Sequence, residues 1–282
     1  MTATVRDALR RAARKLNWAG VPDAGTDARF LLAFAMGRSV SMLTLDDDLR
    51  LGGTEETKFE NAVELRLRRK PVSQIVGYRA FWKQEFAIDC NVLDPRPESE
   101  FLVEQAIGSD PIRILDLGTG SGCILLAILS ECPGATGVGV DCSADALEIA
   151  FRNAGRLGLR DRAAFCLSNW FAEVKGKYDL IVSNPPYVSE SEYSRLDPEI
   201  RDWEPEIALK AGESGLEAFR EIAGSAREFL APGGELHLEI GRGQERDVQR
   251  IFEYEGYSLC RRSKDLDQRV RVQAFRYGHA PE

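Results

Sequence analysis

Two short stretches bring together residue types that can do chemistry. The first is Asn184-Pro185-Pro186-Tyr187, which closes the apolar run Leu180-Ile181-Val182, a run with the length and β-branched content of a buried strand. Tandem prolines lack the N–H that a sheet ladder needs, so the strand must stop there and Asn184 must sit at its carboxyl end. A planar NH2 group has two N–H donors, and a site that holds it away from water must supply two acceptors. Asn184 offers its side-chain oxygen and Pro185 its backbone carbonyl. Pro185 and Pro186 restrict the torsions that aim those acceptors, and Tyr187 can stack on the planar group. A turn of this kind suits transfer of a group to an NH2 nitrogen, with alignment as the main contribution.

The second stretch is Asp116-Leu117-Gly118-Thr119-Gly120-Ser121-Gly122, in which the glycines alternate as G-x-G-x-G. Positions without side chains let the backbone turn tightly and approach a ligand closely. Asp141 lies about twenty residues further on, at the end of the next expected strand, where a carboxylate can accept both hydroxyls of a ribose. A dinucleotide would want the amino end of the following helix free of negative charge. Asp116 at the loop's entrance instead suits the ammonium of an amino-acid moiety, which favours S-adenosylmethionine over NAD. After a third strand, Asn169 can hydrogen-bond an adenine edge and Trp170 can pack against its ring. A buried Trp with a structural Asn beside it is the alternative reading of that pair.

These residues need a scaffold, and the chain from about Arg113 supplies one by alternation. Strands are expected at Arg113–Asp116, Gly137–Asp141, Ala163–Leu167 and Tyr178–Ser183, with helices at Cys123–Ser130 and Ala144–Leu157. Helix Leu216–Leu230, the turn Pro232-Gly233-Gly234, strand Glu235–Ile240, helix Gln244–Tyr254 and strands near Tyr257–Arg261 and Val270–Phe275 complete the pattern. The fold class is α/β, a doubly wound, mainly parallel sheet. Ahead of it, Val5, Leu9, Ala12, Ala13 and Leu16 recur at helical spacing, as do apolar residues in Ala28–Met36 and Phe59–Leu67, so a small helical domain is expected over residues 1–75. Tyr78, Phe81, Trp82 and Phe86 fall in a segment that reads as a hairpin, a connector over 76–95, with the larger domain over 96–282. Asp94-Pro95-Arg96-Pro97-Glu98-Ser99-Glu100 introduces that domain's first helix, with acidic residues where the helix dipole favours them.

Composition narrows the function classes. The 282 residues carry a formal net charge of -8, which argues against bare nucleic acid as the main partner. The basic run Arg66, Arg68, Arg69, Lys70 reads as a solvated helix face. Six cysteines form no Cys-x-x-Cys pair and only His237 and His279 are histidines, so no metal site is expected. Buried free thiols fit a reducing, cytoplasmic setting. The longest purely apolar stretch, Ile124 to Leu129, is too short to span a bilayer. The Arg-rich first helix resembles a transit peptide in composition, but it carries Asp7 and runs into further helical sequence.

Taken together, these residues resemble the class I S-adenosylmethionine-dependent methyltransferases, and Asn-Pro-Pro-Tyr narrows the likeness to enzymes that act on planar NH2 groups. Nucleobase amino groups and the side-chain amide of glutamine share that turn. Arg69-Lys70-Pro71-Val72-Ser73-Gln74-Ile75-Val76-Gly77, Phe81-Trp82, Pro95 to Glu100, the glycine loop, Asn184 to Tyr187, Glu204 to Leu209, Gly215-Leu216 and Leu238-Glu239-Ile240-Gly241 follow one another in order. That series, nearly the full length, resembles the peptide-chain release factor glutamine-N5 methyltransferases. The resemblance implies a class I methyltransferase, Rossmann-like sheet behind a helical domain that helps seat the release factor. It implies methylation of the glutamine in that factor's Gly-Gly-Gln motif. It further implies that Gly118, Thr119, Gly120, Ser121, Gly122, Asp141, Asn169, Trp170 and Asn184 touch the cofactor. Asn184, Pro185, Pro186 and Tyr187 would then cradle the glutamine. Asn169 stands where the family pattern carries Asp, which bears on the adenine contact, and Asp94 replaces a more usual apolar residue. A ribosomal protein glutamine and a nucleobase amino group are the alternative acceptors.

Overall fold

The computed structural model describes residues 3–43, 47–265 and 267–278. His279 lies outside them. Two compact units form, Met1–Tyr78 with Asp197–Trp203, and Arg79–Leu196 with Glu204–Glu282.

The first unit is helical: α1 (Val5–Trp18), α2 (Ala24–Met36), α3 (Val40–Leu43), α4 (Gly53–Leu67) and α5 (Val72–Val76). Thr4 caps α1 by accepting the Asp7 N–H at 3.2 Å, which satisfies one of the amides a helix start leaves open. Val5, Ala8, Ala12 and Leu16 form its buried stripe and pack with Leu31, Leu32 and Phe59. Leu9 and Ala13 lie at the margin of that stripe, because Ala8 completes the i, i+3, i+4 face.

The second unit opens with a hairpin, β1 (Tyr78–Phe81) and β2 (Gln84–Ala87). Phe81 and Phe86 are buried in the unit's core, and Ala87 N–H donates to Asn153 Oδ1 at 2.7 Å, so the hairpin is part of this unit's packing. There follow α6 (Glu100–Ile107), β3 (Arg113–Leu117), α7 (Cys123–Glu131), β4 (Thr136–Asp141), α8 (Ala144–Arg156), β5 (Ala163–Leu167) and β6 (Tyr178–Ser183). Every residue of α7 from Cys123 to Leu129 is buried, as expected of a helix apolar on all sides. After β6 come the short helices α9 (Glu190–Tyr193) and α10 (Pro198–Arg201), then α11 (Glu217–Ser225), β7 (Leu230–Glu239), α12 (Glu245–Tyr254), β8 (Tyr257–Lys264) and β9 (Val270–Tyr277).

The sheet runs β5-β4-β3-β6-β7-β9-β8, parallel throughout except that β9 is antiparallel to both of its neighbours. From β3 the chain builds outward through β4 and β5, and then returns to β3's other side with β6 and β7. Between β3 and β6 the order reverses, and the carboxyl edge at such a switch point is where open α/β sheets hold ligands.

Two expectations need correcting here. The helix expected over Leu216–Leu230 stops at Ser225, passes through a 3-10 turn at Ala226–Glu228, and gives way to strand at Leu230. Pairing decides this: Leu230 registers with Tyr178, whose N–H donates to Phe229 O at 2.8 Å, and Pro232-Gly233-Gly234 becomes a bulge inside β7 before Glu235 pairs with Leu180. The basic run is only in part a solvated face: Arg68 is exposed, but Arg66 and Arg69 are turned to carboxylates. Arg66 is 5% exposed; it donates to Asp27 at 2.7 Å and to Glu199 at 2.9 Å, and Arg69 grips both Glu199 oxygens at 2.6 Å. Glu199 lies on α10, so that short helix belongs to the first unit.

Candidate active site

The glycine loop and the proline turn leave adjacent strands at one level. Leu117 and Ser183 are register partners, and Ser183 Oγ donates to Leu117 O at 2.7 Å. Both segments open onto a cavity of about 530 Å³ in the second unit. Its wall includes Gly118, Gly120, Asp141, Asn169, Trp170, Asn184 and Pro186. Thr119 and Ser121 are buried beneath the loop, and Pro185 is buried behind the turn. Thr119, Ser121, Gly122, Pro185 and Tyr187 adjoin wall residues along the chain but are not themselves part of this cavity's wall.

The loop's backbone explains its glycines. Gly118 and Gly120 have φ of +67° and +54°, and a Cβ at either would meet no atom within 4 Å, so the space beside them is open to a ligand. Gly122 has another role: a Cβ there would stand 3.2 Å from Ala150 Cβ, so its absence lets the loop lie against α8. Asp141 ties the loop to β4. Its carboxylate accepts the Gly120 N–H and the Ser143 N–H, each at 2.9 Å. Asp116 sits below, 1% exposed, accepting the Thr119 hydroxyl at 2.7 Å; burial pushes it up to about 7, against the Thr119 bond and with Asp141 adding to the rise. It underlies the loop and is not on the cavity wall.

At the end of β5, Ser168 shapes the turn that carries Asn169 and Trp170. Its Oγ donates to Trp170 O at 2.9 Å and accepts the Glu173 N–H at 3.0 Å. Trp170 takes φ +49°, a left-handed conformation that a bulky residue adopts only when its surroundings enforce it. Asn169 is exposed on the wall.

The proline turn is held at both ends. Asn184 Nδ2 donates to Ser99 Oγ at 3.2 Å, and Ser99 Oγ donates to Glu239 Oε2 at 2.6 Å. Tyr187 O accepts Gln244 Nε2 at 3.0 Å, while Gln244 Oε1 accepts the Gly241 N–H at 2.9 Å. Burial raises the Tyr187 phenol well above its ordinary value, with Glu239 adding and Arg96 opposing, so it is neutral. Among the described residues no group of His, Cys, Asp and Glu could hold a metal, and no helix is long and apolar enough to cross a membrane.

Residues 7–77 match the family model for the PrmC N-terminal domain and residues 93–197 that for the Methyltransferase small domain. A release factor glutamine methyltransferase from Cereibacter sphaeroides is 45% identical, with 96% of this chain and 97% of that protein covered. One from Agrobacterium fabrum is 40% identical over 97% and 98%. The chain belongs to the release factor glutamine methyltransferase family. Its fold is that of the class I methyltransferases: a crystal structure of a methyltransferase from Pyrococcus furiosus, 17% identical, superposes with a TM-score of 0.53 over 70% of this chain and 90% of that one.

For a release factor glutamine methyltransferase, several residues that shape this site receive no role from the sequence, although Ser99, Glu239 and Pro205 to Ala208 fall within its motif series. Glu239 has its detectable signal in Leu238-Glu239-Ile240, where an acid interrupts an apolar strand and so needs a buried partner. That partner is Ser99. Asn153, fully buried on α8, donates to Ser121 O at 2.9 Å and to Ala87 O at 3.2 Å, joining the glycine loop to the hairpin. An amide on the buried face of an amphipathic helix is again the clue. The far wall, Pro205, Ile207, Ala208 and Ala211, follows Glu204, which is 6% exposed and accepts from Arg96 at 2.7 Å.

Proposed function

We propose that this protein transfers a methyl group from S-adenosylmethionine to the side-chain amide nitrogen (N5) of the glutamine in the Gly-Gly-Gln motif of a peptide-chain release factor. The observation that carries this reading is the Asn184 amide, anchored on the wall of the same cavity that Gly118 and Gly120 line from the neighbouring strand. The residues present fit the cofactor: the cavity is roomy, the space beside both glycines is open, and a carboxylate stands at the end of β4. Gly118, Gly120, Asp141, Asn169 and Trp170 would hold it, with Thr119, Ser121 and Gly122 shaping the loop from below.

When bound, S-adenosylmethionine supplies a methyl group on a cationic sulfur, already activated as an electrophile. The chain's own work is positional. Asn184 Oδ1 and the Pro185 carbonyl accept the two N–H groups of the glutamine amide, and the paired prolines hold those acceptors still. These bonds raise the electron density on the nitrogen and fix its direction of approach. Tyr187, neutral and packed at the turn's exit, keeps the turn in place through its backbone bond to Gln244. No strong base is needed, because the nitrogen becomes acidic as it gains the methyl and can release its proton late.

We further propose a cytoplasmic setting, where free thiols persist; of the six cysteines only Cys123 is buried, and Cys90, Cys142 and Cys260 are exposed. Incubation with isotopically labelled S-adenosylmethionine and a release factor, followed by peptide mass spectrometry, is expected to find one labelled methyl on the Gly-Gly-Gln glutamine. Label absent from that glutamine, or found on nucleic acid instead, overturns the reading.

A further inference from the structure

A planar side-chain amide can face the cavity with either its oxygen or its NH2, and only the oxygen can accept an N–H from an incoming glutamine. What lies behind Asn184 decides between them. Ser99 Oγ has a single hydrogen, and Glu239 Oε2, at 2.6 Å, takes it, because a carboxylate has no proton to give back. Ser99 therefore presents lone pairs to Asn184, and the matching group is Nδ2, which donates to it at 3.2 Å. Ser99 and Glu239 are both 2% exposed, so water does not compete for either bond.

We propose that Ser99 and Glu239 are positioning residues for methyl transfer, a relay that holds Asn184 with Nδ2 turned inward and Oδ1 offered to the acceptor nitrogen. This rests on the functional reading above. The relay has a polarity that depends on Glu239 being ionised. Burial pushes Glu239 up to about 7; the Ser99 bond opposes the rise, Glu98 adds to it, and Arg271 and Arg96 oppose it. Those groups face it from β9 and from the segment before α6, the Tyr187 phenol faces it from the turn, and the Cys123 thiol, which burial keeps neutral, faces it from the start of α7. Once protonated, Glu239 can donate to Ser99 Oγ, and the serine hydrogen is then free to point at Asn184. The amide oxygen becomes the better partner behind, and the NH2 group is left facing the acceptor. Turnover should therefore fall as pH drops through the Glu239 value and be full above it.

The experiment measures kcat against pH, and KM for S-adenosylmethionine, with a release factor and the full chain carrying Ser99→Ala, Ser99→Thr or Glu239→Gln. The parent is expected to lose turnover below about pH 7. Ser99→Ala should lower kcat on the order of tenfold, the worth of one hydrogen bond to a key group, and lose the acid limb with KM within about twofold. Ser99→Thr restores the hydroxyl and should recover most of that loss. Glu239→Gln keeps an acceptor oxygen but cannot titrate, so its profile should be flat across the acid limb. A Ser99→Ala protein that keeps both parental kcat and the acid limb overturns the relay, as does an acid limb surviving in folded Glu239→Gln. If Glu239→Gln fails to fold, the two serine variants decide. Failure of the parent to label the glutamine overturns the functional reading and the relay with it, whereas a labelling parent with an unaltered serine variant overturns the relay alone.

Discussion

Asp116 on β3 and Glu239 on β7 are alike in several respects. Each is buried, burial pushes each up to about 7, and each meets one hydroxyl, Thr119 at 2.7 Å and Ser99 at 2.6 Å. They differ in where that hydroxyl comes from. Thr119 is three residues from Asp116, so the bond closes inside the glycine loop and stiffens it locally. Ser99 lies 140 residues from Glu239 and passes the interaction on to Asn184. A buried carboxylate bonded within its own loop shapes the backbone, while one bonded across the fold can orient a reacting side chain.

That contrast can be broken at either end. The largest effect is expected from Asn184→Ala, which removes the acceptor oxygen while leaving the glycine loop intact. Turnover should fall by about 100-fold or more, as when one preorganised polar contact to the reacting group is lost. Calorimetry should find cofactor affinity changed only a few-fold; comparable losses in rate and affinity would erase the division between the two halves of the site. Next comes Asp141→Ala, on the loop side. It removes two charge-assisted acceptors of backbone N–H groups as well as a cavity-wall carboxylate, so cofactor binding should weaken by roughly 10- to 100-fold, with a smaller change in kcat at saturation. A larger drop in saturated kcat than in affinity would count against assigning Asp141 to the loop side.

The smallest effect concerns stability. Native Asp116 keeps its proton to about 7, whereas the unfolded chain releases it near 3.8. Its contribution to stability is therefore full below the unfolded value and is lost as pH rises through the folded one. Asp116→Asn cannot ionise, so its Tm relative to the parent should be higher at about pH 8 than at about pH 5, by a few degrees. If Asp116 serves only the loop, the acid limb of kcat should persist in this variant. Its disappearance would give both carboxylates the same role.

Much of this was legible along the chain. The strands Ala163–Leu167 and Tyr178–Ser183 fall where local pattern puts them, and so do the two motifs that follow β3 and β6. The pattern fails where a distant partner decides. Leu230 carries a helical spacing but is drawn into strand by Tyr178, more than fifty residues earlier, whose N–H also holds the turn at Phe229. Arg66 and Arg69 read as surface charge until Glu199 is brought to them from 130 or more residues away. Glu239 falls within a motif, but its partner Ser99 lies in the turn before α6, 140 residues away, and hydrogen bonds of that span leave no local periodicity. The wall from Pro205 to Ala211 is short turns, with no long apolar repeat to announce it.

The chain enters the second unit at Arg79, leaves it for Asp197–Trp203, and returns at Glu204. Within the first unit that seven-residue visit supplies the carboxylate gripped by Arg66 and Arg69, and Trp203 donates its indole N–H to Arg68 O at 3.1 Å. A fragment cut at Tyr78 would keep every amino-terminal helix and yet lack a piece of its own interior. The two units are thus not interchangeable cassettes: exchanging the helical one between relatives requires carrying a short internal stretch of the other along with it.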